Sequence, residues 1–169
     1  MKIIEAMKTV KRLHEKLADL QTKVAQHCAD LEHETPVYPD QAGQIKEWLQ
    51  SHFDTIQEIA RLRTAIQRTN IATEVTIELG GKAVTKSIAE WIHRRRDLAT
   101  ADFVIYSRLG DRGLKEGIAK TSSGSEMQVK IRRYFDPKDR DVKMELYRSE
   151  PTIIDSTLEV INAVTDVIV

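Results

Sequence analysis

Ile66-Gln67-Arg68-Thr69-Asn70-Ile71-Ala72-Thr73-Glu74-Val75 decides the fold, because a long helical pattern stops here and a strand pattern begins. Downstream, Ile71, Thr73, Val75, Ile77 and Leu79 alternate with Ala72, Glu74, Thr76 and Glu78, the period-2 signature of a half-buried strand. Upstream, Ile45, Leu49, Ile56, Ile59, Leu62 and Ile66 keep a helical spacing from about Gln41 to Thr69. Asn tolerates the left-handed conformation that ends many helices, so Asn70 is the expected cap.

The same joint recurs near the end of the chain. Asn162-Ala163-Val164-Thr165-Asp166-Val167 repeats the pattern Asn-x-x-Thr-acid-Val of Asn70–Val75. Each copy follows an apolar helix and opens a β-like run. Two corners of one design imply strands that meet in a single small sheet.

Before the first joint, Ile3, Met7, Val10, Leu17, Val24 and Leu31 mark a first helix over residues 1–33, with His14 and Gln21 as polar seam members. Thr35-Pro36-Val37-Tyr38-Pro39-Asp40 breaks it, and a short link between two long helices implies an antiparallel hairpin of coiled-coil type. Such a rod cannot bury its stripe alone, so a homo-oligomer is expected. Beyond the first joint, Gly80-Gly81 turns the chain, and Ser87 with Glu90 fits a capping box opening a third helix to about Ser107. Residues 108–125 hold four glycines and Thr121-Ser122-Ser123, and read as a long loop. A second strand follows over 126–134. A last helix begins at Asp136-Pro137 and should be interrupted or kinked at Pro151. The expected class is α+β and mostly helical: a single domain over 1–169, with the hairpin in 1–69. The strands near 71–79, 126–134 and 163–169 would share one sheet.

Composition narrows the function. The 26 basic and 26 acidic side chains cancel, which disfavours a duplex nucleic acid as partner. Cys28 is the only cysteine, so no disulfide or cysteine zinc site can form within the chain. No apolar run approaches the roughly 18 residues that span a bilayer, and no signal-like start is present, so a cytoplasmic protein without a membrane partner is expected. The five histidines keep no ligand spacing, and neither a nucleophile elbow nor a phosphate-binding P-loop occurs. No metal, cofactor or catalytic activity is therefore expected.

Several features resemble the septicolysin-like family of small bacterial and phage helical proteins. They are the helical hairpin, the Arg68-Thr69-Asn70-x-x-Thr73 corner, Gly81-x-x-Val84-Thr85 and Arg94-Arg95-Arg96-Asp97-Leu98. Arg133-Tyr134 and Asn162-x-x-Thr165 fit loosely, while His93 beside the basic run and Pro151 depart from the pattern. The resemblance implies a fold and no settled activity.

Arginine supplies planar, bidentate donors for phosphate and carboxylate, and the arginines cluster near the joints. The expected ligand-binding residues are Arg68, Thr69, Asn70, Thr73, Arg94, Arg95, Tyr106, Arg132 and Tyr134, with the tyrosines stacking on a base. They point to a non-enzymatic, oligomeric binding module for a small anionic ligand of nucleotide-like, phosphate-bearing type. Phage proteins that sequester nucleotide signals in arginine-lined pockets are an analogy of type. The alternative is an assembly protein of coiled-coil character with no small-molecule ligand.

Overall fold

A computed structural model of the chain describes residues 1–168. Its elements are α1 (Ile3–His27), α2 (Gln41–Ala72), β1 (Glu74–Leu79), β2 (Lys82–Ser87), α3 (Ile88–His93), a π-helical turn (Arg94–Leu98), α4 (Ala99–Ser107), β3 (Gly117–Lys120), β4 (Glu126–Val129) and α5 (Pro137–Val164). The class is α+β with helix predominant. Two compact units emerge, Met1–Thr73 with Leu158–Val169, and Glu74–Thr157.

In the first unit side chains of α1 and α2 meet at several points. Gln21 meets His52 at 3.2 Å, His14 meets Arg63 at 2.8 Å, and the Gln41 amide donates to the His27 carbonyl at 2.9 Å. The loop between them is held by a cluster of His27, Tyr38 and Trp48, with ring centroids 5.4–5.7 Å apart. Asp40 caps α2 by accepting the Gly43 N–H. Ile3, Ala6, Leu20, Ile59, Leu62, Ala65 and Leu158 are buried here.

Both Asn-x-x-Thr joints share one geometry, and it is not the expected one. Neither asparagine takes a left-handed cap, since Arg112 is the only non-glycine with positive φ among the described residues. The helices instead run two residues past each asparagine, and the threonine that follows returns its N–H to the carbonyl four residues back: Thr73 to Thr69, Thr165 to Ile161. The acid after it then opens an extended segment.

The single three-stranded sheet does not form. β1 pairs antiparallel with β2, and β3 with β4, as two separate two-stranded sheets. The run expected as a strand over 163–169 is helical to Val164 and then makes one antiparallel bridge, Asp166 to Lys2. Its last residue, Val169, lies outside the described residues. In the two sheets each strand pairs with its neighbour in sequence, because a tight turn closes a hairpin at little entropic cost. The loop expected over 108–125 therefore contains β3, and β4 stops at Val129.

The second unit is built around Trp91, which is fully buried and donates from its indole N–H to the Val75 carbonyl at 2.9 Å. Val75, Ile77, Ile88, Ala99 and Ile154 are buried in the same unit. Ser87 and Glu90 cap α3 reciprocally, at 2.8 and 3.2 Å. Gly80 and Gly81 turn β1 into β2 with φ of 57° and 77°. α5 is not broken: Pro151 lies inside it, and its missing N–H leaves the Tyr147 carbonyl without the usual helical donor. No helix among the described residues is long and apolar enough to cross a membrane.

Candidate functional site

The residues expected to bind a ligand are divided between the two units. Arg68, Thr69, Asn70 and Thr73 lie in the first, at the α2 terminus. Arg68 is exposed and makes no ion pair among the described residues. Thr69 is wholly buried, and its hydroxyl is fully engaged: it donates to the Ala65 carbonyl at 2.8 Å and accepts the Ile168 N–H at 2.8 Å. Asn70 keeps a buried Oδ1 with no partner. The first joint thus anchors the end of the chain, which explains its threonine without a ligand.

Arg94, Arg95 and Tyr106 belong to the second unit, and their side chains are occupied. Arg94 forks onto Glu150, with Nε–Oε1 at 2.7 Å and Nη2–Oε2 at 2.8 Å, and donates through Nη1 to Asp102 at 2.6 Å. Hydrogen bonding to Glu150 and Asp102 raises the Arg94 pKa further above its ordinary value, against the opposing effect of burial. Glu150 is only 3% exposed, so the pair is structural. Arg95 bonds Asp155, and Tyr106 packs on Tyr147 with centroids 5.7 Å apart. The π turn begins at Arg94, so the basic run is re-phased away from an ordinary helical face.

Arg132 and Tyr134 lie elsewhere in the second unit, and the structure brings them together. They line a cavity of about 290 Å³ with Arg108, Asp111, Arg112 and Arg133, over an apolar floor that includes Leu114 and Ile131. Four arginines and one carboxylate line it. That carboxylate is taken: Arg133 grips Asp111 in a fork of 2.6 and 2.7 Å, which holds the Asp111 pKa below its ordinary value. Arg108, Arg112 and Arg132 make no ion pair among the described residues. Tyr134 is 89% exposed.

The wall is shaped by a tight turn. Leu114 donates its N–H to the Asp111 carbonyl at 2.9 Å, and Arg112 and Gly113 both take positive φ, 56° and 74°. A left-handed arginine is strained by roughly 1–2 kcal/mol. From α5, Arg140 reaches the Leu109 carbonyl at 2.9 Å and covers the Phe135 ring, so the other wall is pinned as well.

Comparison with solved structures places this fold. The chain is similar to a protein from Corynebacterium diphtheriae whose crystal structure is described as that of a functionally unknown conserved protein. The TM-score is 0.58 at 20% sequence identity, over 99% of each chain. The likeness is one of fold. No protein-family model and no characterised protein matches the sequence.

Arg108, Arg112 and Arg133 were visible in the sequence only as scattered basic residues. The signal that gathers them is Asp111-Arg112-Gly113, a turn tripeptide with Arg108 and Lys115 on either side, read together with Arg132-Arg133-Tyr134 across one hairpin.

Proposed function

We propose that the protein is a non-enzymatic, oligomeric binding module, and that the cavity between the Arg108–Leu114 turn and Ile131–Phe135 receives a small phosphate-bearing anion of nucleotide-like type. One observation carries the reading: Arg108, Arg112 and Arg132 line a common cavity without carboxylate partners among the described residues, in a chain of zero net charge. Unneutralised guanidiniums repel one another, so an anion between them relieves that repulsion as well as gaining bidentate hydrogen bonds. Tyr134, exposed beside them, offers a ring on which a base could stack. The same proposal takes α1 and α2 as an antiparallel coiled-coil hairpin, and places the chain with the septicolysin-like group on its Asn/Thr corners and basic run.

Pyrophosphate and a panel of nucleoside mono- and diphosphates test it by thermal shift and calorimetry. At least one probe should raise the melting temperature in the wild type. Arg108→Ala with Arg132→Ala should remove the gain, while Arg95→Ala should keep it. A wild type that no probe stabilises would rule the anion site out.

A further inference from the structure

The connection between α4 and α5, Arg108–Asp136, concentrates positive charge in a chain that has no net charge overall. It carries seven Lys/Arg against four Asp/Glu. Each of the four acids is already engaged. Asp111 is forked by Arg133, Glu116 accepts the Ile131 N–H at 3.1 Å, and Asp136 accepts the Lys138 N–H at 2.9 Å where α5 starts. Glu126 stands opposite Lys120 in the β3–β4 register. Arg108, Arg112, Lys115, Lys130 and Arg132 are exposed and pair with no carboxylate among the described residues. The three arginines line the cavity, while Lys115 and Lys130 are the chain neighbours of its floor residues Leu114 and Ile131. Tyr134 lines the same cavity. Tyr38, Tyr106 and Tyr147 each pack against another ring, whereas Tyr134 is 89% exposed and stacks on no ring among the described residues.

We infer that this surface binds a single-stranded nucleic acid, with phosphates along the cations and one base against Tyr134, an extension that rests on the anion-cavity reading. Three properties select a strand over a free nucleotide or a duplex. Leu114, Tyr134 and all three arginines are exposed, so the cavity is too open to bury the roughly 70–90% of a small ligand's surface that an enclosed site covers. A polymer is held in such a groove because each phosphate raises the effective concentration of the next. The exposed ring selects unpaired bases, since a duplex already covers both faces of each interior base by stacking. The charge excess is local and small, three over the whole connection. It suits a few phosphates of a flexible strand, and it falls short of the broad basic face that a rigid duplex requires.

Fluorescence anisotropy of a labelled oligothymidylate of about twelve residues, with the full chain, tests this. At about 50 mM salt the wild type should bind it, and the matched duplex should bind about tenfold more weakly or not at all. The logarithm of affinity should fall against the logarithm of salt with a slope of about −2 to −3.5, from roughly 0.7 per phosphate over three to five cations. Arg108→Ala with Arg132→Ala should make that slope shallower by about 1.4. Tyr134→Ala should weaken binding about tenfold and leave the slope unchanged, and Tyr134→Phe, which keeps the ring, should bind as the wild type does. Arg95→Ala should alter neither affinity nor slope. All of these positions are exposed, and circular dichroism checks that each variant keeps its helices. Should the arginine pair unfold the chain, the two tyrosine variants give the second reading. No binding at that salt overturns the inference, as does binding untouched by the arginine and tyrosine changes, or a duplex bound as tightly as the strand. Pyrophosphate stabilising a chain that ignores the oligonucleotide would remove the strand and leave the anion cavity standing. An oligonucleotide held through Arg108 and Arg132 by a chain that no mononucleotide stabilises would support the strand and end the small-ligand reading.

Discussion

Thr69 serves two backbone groups through one oxygen, in a position with no access to water. Valine has the same shape without the hydroxyl, so Thr69→Val removes the acceptor of the Ile168 N–H. Urea unfolding should show a loss of about 0.5–1.5 kcal/mol. Arg94 poses the sharper case, because removing it strands the Glu150 carboxylate, which the fork now neutralises. Arg94→Ala should cost on the order of 3 kcal/mol, whereas Arg95→Ala, whose partner Asp155 is exposed, should cost under about 1 kcal/mol. Arg112 is the opposite kind of residue. Glycine accepts φ of 56° without strain, so Arg112→Gly should raise stability by up to about 1 kcal/mol while weakening the anion site. Unfolding curves and phosphate titrations on the same variant separate the two effects. A variant that loses stability would show that the arginine side chain supports the loop.

At the level of elements, the β1–β2 hairpin depends on its turn. A Cβ on Gly80 would meet Leu146 at 3.2 Å and would also force a left-handed alanine. Gly80→Ala should therefore cost about 1–2 kcal/mol by urea unfolding. Elements of this local kind were legible in the sequence: the Gly80-Gly81 turn, the Ser87–Glu90 box and the Gln41 start of α2 all rest on residues within a few positions of each other. Pairing was not legible. The repeated Asn-x-x-Thr-acid-Val does mark two equivalent helix ends, but nothing in six residues says which strand each will meet. Asp166 found Lys2, and β1 found β2. The candidate site shows the same limit. Arg132 and Tyr134 were readable as exposed groups on an alternating run, while Arg94 resembled them in sequence and differs through Asp102, on the next helix, and Glu150, 56 residues away.

Across the whole molecule, 26 positive and 26 negative side chains leave no net field to draw an anion from a distance. Attraction at the arginine cavity is consequently short-ranged and screened by salt, over roughly 10 Å at 0.1 M. Its pH dependence should come from the ligand. The carboxylate lining the cavity, Asp111, is held below its ordinary 3.8 by Arg133, so it stays ionised at any pH above that value. Because its folded pKa lies below the unfolded one, the Asp111–Arg133 tie is fully present above about 3.8 and is lost only as the pH falls through the lower folded value. A phosphomonoester, by contrast, takes its second negative charge near pH 6. Affinity for a nucleoside monophosphate should thus rise several-fold between pH 5 and pH 7 and then level off. A cyclic or otherwise diesterified phosphate, which carries one charge throughout, should bind with a flat profile. Calorimetric titrations of both probes at pH 5, 6, 7 and 8 check this. Parallel profiles for the two would mean that a protein group, not the phosphate, titrates at the site.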